Sequence, residues 1–157
     1  MSDNKKINSN FIKIIIFYVI IIGLMIPSLI LINLIQILGA FEMNFEFILG
    51  VILIVGVGIV VPIIVIALNL VGIFIYPKVS ANFDYLPLII GIINVSISII
   101  IALIAFIRGP FTIIEGFTPE RILLLGYYIT VGVLILIAGA VSVITIFFSI
   151  RIIKWEK

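Results

Sequence analysis

Residues 122–150 read ILLLGYYITVGVLILIAGAVSVITIFFSI, a stretch of 29 positions without one charged side chain, closed by Arg121 on one side and Arg151 on the other. About 20 apolar residues, rising about 1.5 Å each, cross the roughly 30 Å of hydrocarbon in a bilayer. The stretch is long enough to do so with residues to spare. It is rich in Ile and Val, which favour strands in water. In lipid, however, an unpaired backbone is intolerable, and a barrel strand would alternate apolar with polar over about ten residues. This run does not alternate, so the sequence predicts a helix.

The same pattern occurs three more times. Charge-free windows cover Ile14–Phe41, Phe47–Pro77 and Tyr85–Ile107. With 65% apolar and 10% charged residues and a mean hydropathy of +1.56, the chain lies far from the composition of a soluble domain, which has about 45–50% apolar and about 25% charged residues. The expectation is an all-α membrane protein: a four-transmembrane-helix antiparallel up-down bundle with short loops. Spans are predicted at approximately 12–40, 47–76, 85–107 and 119–153, forming one transmembrane domain over residues 1–157. The first apolar run is too long for the roughly 7–15 residues of a secretory signal core, which predicts an uncleaved first helix.

Charge placement orients the bundle. With four spans, Lys5, Lys6, Lys13, Lys78, Arg151, Lys154 and Lys157 share one side, and Arg108 and Arg121 lie on the other. Positive residues near span ends resist translocation, so both termini are expected in the cytoplasm of a cell-membrane protein. Thr118, Pro119 and Glu120 read as N-cap, first helical residue and first-turn acid of the fourth helix, and Asp84 as a cap for the third. The segment Arg108–Arg121, with the breakers Gly109-Pro110 and Gly116, is predicted to be an irregular connection lying on the outer end of the bundle.

Absent residues narrow the chemistry. The chain contains no Cys and no His, which removes thiol nucleophiles, disulfides, and thiolate and imidazole metal ligands. No cofactor, metal or catalytic set is expected, and a formal net charge of +2 gives no nucleic-acid surface. Apart from Lys13, Glu120, Arg121 and Arg151 near their ends, the predicted spans carry no charged residue, and a proton or ion route would need one in the interior. Outer-face charges comprise Glu42, Glu46, Arg108, Glu115, Glu120 and Arg121. They are read as solvated interface charges, since exposed pairs contribute only about 0–1 kcal/mol. Asn94-Val95-Ser96 matches a glycosylation pattern, but inside a span the modifying machinery cannot reach it.

Small and polar residues are more informative. Gly58, Pro62, Asn69 and Gly72 recur at helical spacing on one side of the second span. Gly91, Asn94, Ser98, Ala102 and Ala105 do so on the third, and Ala138, Ser142, Thr145 and Ser149 on the fourth. Such stripes let backbones approach closely in lipid, where apolar burial provides no drive. Counted outward from the loop joining the second and third spans, Gly72 faces Gly91 and Asn69 faces Asn94. The expectation is a glycine contact with an amide pair about one turn deeper. Each of the first three spans also holds a proline followed by an asparagine, Pro27 with Asn33, Pro62 with Asn69 and Pro87 with Asn94, a weak sign of a repeat.

The functional expectation is a non-catalytic multi-pass protein, an accessory subunit, scaffold or small tetraspan. Its partners are the lipid bilayer and other membrane proteins or further copies of itself. The alternative is a small transporter or channel lined by Asn33, Gln36, Asn69, Asn94, Ser98 and Thr130; a membrane enzyme would have to use groups at the outer interface.

Overall fold

The computed structural model describes residues 2–39, 59–75, 85–114 and 116–155 of the chain. These residues form four helices, α1 (Ser2–Gly39), α2 (Val61–Phe74), α3 (Leu86–Ile114) and α4 (Pro119–Trp155), with no strand among the described residues. Within α1, α3 and α4 the apolar segments Asn10–Leu34, Leu86–Phe111 and Pro119–Ile153 are each long enough to cross a membrane. The second span, expected over 47–76, is described only from Ile59 onward.

The helices form an antiparallel bundle in which α4 packs most extensively on α3 and α1, α1 also packs on α2, and α2 meets α3. Contacts along α3 and α4 show the antiparallel sense. Gly109 lies against Tyr128, Gly132 against Phe106, Gly139 against Ser98 and Gly91 against Ile146, one chain number falling as the other rises. The buried stripe of α1 is Ile14, Tyr18, Ile21, Met25, Ser28 and Ile32, at alternating intervals of four and three. That spacing is the seam of helices packed at a shallow angle.

Polarity is distributed opposite to that of a water-soluble fold. Ser28, Asn69, Asn94, Ser98, Ser142, Thr145 and Ser149 are buried, while the outward surface carries Ile16, Ile30, Ile63, Ile92, Leu103, Ile137 and many similar side chains. A contiguous apolar exterior of this extent is incompatible with water. The chain is a membrane protein.

Proline positions follow from the backbone donors they lack. Pro87 stands in the first turn of α3, where an N–H would have no intrahelical partner. Pro62 stands in the first turn of α2, where its missing N–H removes no intrahelical bond. Pro110 corrects the expected loop: α3 does not end at Gly109-Pro110 but continues to Ile114 with the proline inside it. The reason is tertiary. Gly109 is buried against α4, where an added Cβ would lie 3.2 Å from both Leu125 Cδ1 and Tyr128 Cβ, so packing holds the helix past its weakest point. The connection to α4 is correspondingly short. Gly116 N–H donates to Ile113 O at 3.0 Å, and Gly116 takes φ +142°, a backbone region that L side chains rarely enter. Thr118 Oγ1 accepts from Arg121 N–H at 3.4 Å, a long N-cap bond at the start of α4.

Candidate functional site: a buried amide pair in the bundle

Asn69 and Asn94 are fully buried and meet across α2 and α3. The Asn94 Nδ2 group donates to Asn69 Oδ1 at 3.1 Å, and Asn69 Nδ2 donates to the Val65 carbonyl of its own helix at 2.7 Å. The pairing expected from the register of the hairpin is thus present. Its direction is fixed by the backbone. Because Val65 O can only accept, Asn69 must turn its NH2 toward it and its Oδ1 toward Asn94, whose NH2 then faces Asn69. Asn94 Oδ1 is left at the end of this relay, buried and without a hydrogen-bond partner among the described residues.

The remaining stripe residues fall where their spacing places them. Pro62 and Gly72 on α2, Gly91, Ser98, Ala102 and Ala105 on α3, and Ala138, Ser142, Thr145 and Ser149 on α4 are all buried. Gly58, Glu42, Glu46, Glu115 and Asp84 lie outside the described residues. Of the other outer charges, Arg108 and Glu120 are exposed and Arg121 is half-buried.

The glycine contact needs correction. Gly72 makes room for the Tyr18 ring of α1: a Cβ at Gly72 would meet Tyr18 Cε2 and lie 2.9 Å from Tyr18 Cδ2 and Cζ. At Gly91 the added atom would fall 2.6 Å from Ile146 Cγ1 of α4. Each glycine therefore receives a large side chain from a different neighbour, and the two do not serve one another. Counting from the α2–α3 loop gives the level of each residue but not which of two flanking helices fills a notch.

Hydroxyl groups in the spans mostly turn back on their own helix. Ser28, Ser142, Thr145 and Ser149 donate to carbonyls one turn earlier at 2.8–3.1 Å, and the exposed Ser96 and Thr130 do the same at 3.0 and 2.8 Å. Asn33, also exposed, donates to Leu29 O at 2.8 Å. The residues named as a possible conduit are therefore not brought together. Asn69, Asn94 and Ser98 are interior, Asn33 and Thr130 face outward, and the Gln36 side chain lies outside the described residues.

A second cluster, present in the sequence reading only through its two cations, lies at the end of the bundle that carries Lys13 and Arg151. Phe17 of α1 stacks on Phe148 of α4 with centroids 5.7 Å apart, Lys13 Nζ stands 5.2 Å above the Phe148 ring, and Arg151 Cζ stands 4.5 Å above Phe147. Half of its signal was available as the four-residue step from Phe147 to Arg151, which places that cation beside a ring on one helical face, whereas Lys13 meets Phe148 across two helices. Among the described residues no group of three carboxylates or other metal-binding side chains is found. Comparison with protein families, curated proteins and solved structures finds no match.

Proposed function

We propose that the chain is a non-catalytic multi-pass protein of the cell membrane that acts by packing, as an accessory subunit, scaffold or small tetraspan bound to other membrane proteins or to its own copies. The observation that carries this reading is how the interior polar groups are used. Ser28, Asn69, Ser142, Thr145 and Ser149 donate to carbonyls of their own helices, and Asn94 donates to Asn69. The Asn94–Asn69 bond crosses between helices and can hold their register, while groups satisfied within their own helix do not present a continuous polar lining to a passing solute. In lipid such interhelical bonds contribute about 0.6–2 kcal/mol, enough to select one register among several.

Both termini are assigned to the cytoplasm on the distribution of Lys and Arg, and the Lys13 and Arg151 cluster would then sit at the inner headgroups. Single cysteines at Ser2 and Phe117, in a chain with no background thiol, test this. An impermeant thiol reagent applied to intact cells should modify Phe117→Cys and spare Ser2→Cys; the opposite pattern inverts the topology. The functional reading is tested by purification from native membrane in mild detergent, followed by reconstitution in vesicles. Stoichiometric co-purification with a defined membrane partner, or a defined homo-oligomer, is the expected result. A solitary protein that conducts ions or moves a solute in vesicles would replace this reading with the transport alternative.

A further inference from the structure

Two buried oxygen atoms on adjacent turns of α3, Asn94 Oδ1 and Ser98 Oγ, have no hydrogen-bond partner among the described residues, on side chains 0% and 1% exposed. The first cannot be relieved by turning the amide over, because Val65 O fixes Asn69 and Asn69 fixes Asn94. Ser98 is unlike the other buried hydroxyls described on α1 and α4. The serines and threonine among them, Ser28, Ser142, Thr145 and Ser149, bond back to the preceding turn, whereas the Ser98 side chain packs against Gly139, where an added Cβ would lie 3.0 Å from Ser98 Cβ and 3.5 Å from its Oγ. A glycine at 139 is what admits the Ser98 side chain so close to α4.

Asn94 Oδ1 can only accept, while Ser98 Oγ can donate once and also accept. A molecule satisfying both must carry at least one O–H or N–H donor, must be able to take a second bond, and must be very small, since both side chains are enclosed. Water meets all three conditions, and buried waters in proteins characteristically sit against polar groups that protein partners leave open. We propose that Asn94 Oδ1 and Ser98 Oγ form a binding site for one structural water, which donates to the amide oxygen and shares its second bond with the serine hydroxyl. The relay then runs from water through Asn94 and Asn69 to the Val65 carbonyl, and joins α2 and α3 to a hydrated point facing α4.

The test is proton-detected solid-state NMR on the full chain in lipid bilayers with labelled asparagine, reading magnetisation transfer from water to the Asn94 side-chain NH2. A water cross-peak at Asn94 is expected in the native chain, and its loss is expected in Ser98→Ala, with the Asn69 and Asn94 side-chain shifts otherwise retained as proof of folding. Absence of the cross-peak in the folded native chain overturns the proposal, because the Ser98 hydroxyl would then bond Asn94 Oδ1 directly. A cross-peak at full intensity in Ser98→Ala also overturns it, since the serine would not belong to the site.

Discussion

Replacing Asn69 by Leu and replacing Asn94 by Leu remove the same 3.1 Å hydrogen bond, yet the geometry predicts unequal costs. In Asn94→Leu the amide at Asn69 keeps its bond to Val65 O, so one acceptor, Asn69 Oδ1, is stranded, while the partnerless Asn94 Oδ1 is removed. In Asn69→Leu the Asn94 NH2 group is stranded at a fully buried position, and no open acceptor is removed in exchange. A stranded buried group costs about 1–3 kcal/mol, with the lower end applying in lipid, where unfolded helices also find partners. Asn69→Leu is therefore expected to destabilise by about 2 kcal/mol and Asn94→Leu by about 1 kcal/mol. The double variant, which strands nothing, should lose less than the sum, giving a coupling of about 0.6–1.7 kcal/mol. Reversible unfolding in bicelles or by steric trapping measures all three. Equal single-variant costs, the reverse order, or strict additivity would refute the directional relay.

Gly72→Ala should destabilise by about 1–3 kcal/mol, because the buried Tyr18 ring occupies the space of the new methyl group. Gly126→Ala, with nothing within 4 Å, is the neutral control, and Tyr18→Leu should restore much of the loss in the Gly72→Ala background; the same unfolding assay reads each. At the start of α4, Gly116→Ala forces a side chain into φ +142° and should cost about 1–2 kcal/mol. Thr118→Ala, which loses only a 3.4 Å cap, should cost no more than about 0.5–1 kcal/mol. Faster amide exchange over residues 120–122 in both variants locates the effect; an unchanged exchange profile in Gly116→Ala would remove the argument from backbone strain.

Much of the bundle was legible because lipid imposes simple rules. Charge-free windows mark spans, and in α2, α3 and α4 the small and polar residues at helical spacing mark the buried side, since every other face must be apolar. The Asn69–Asn94 pair was readable for a further reason: two helices joined by one short loop share a depth scale. What sequence did not carry was the identity of neighbours across longer separations. Tyr18 and Ile146 fill the notches at Gly72 and Gly91 from helices remote in the chain, and a large apolar residue in an Ile-rich background looks the same whether it faces lipid or a glycine. Gly109-Pro110 was misread because local propensity indicates a break, and the contact of Gly109 with Leu125 and Tyr128 lies outside local sequence. The direction of the amide relay was likewise invisible, because it depends on which carbonyl lies within reach.

Lys13 above Phe148 and Arg151 above Phe147 have a consequence for how the protein responds to bilayers of different thickness. A cation seated on a ring has already lost much of its freedom to stretch, so these two side chains have little slack for following a headgroup plane that moves along the bundle axis. Arg108 and Glu120, on exposed side chains at the opposite end, have no such ring contact described and keep their reach. Hydrophobic mismatch is thus expected to be taken up unevenly, less at the Lys13 and Arg151 end of α1 and α4 and more at the far end, where α3 turns into α4.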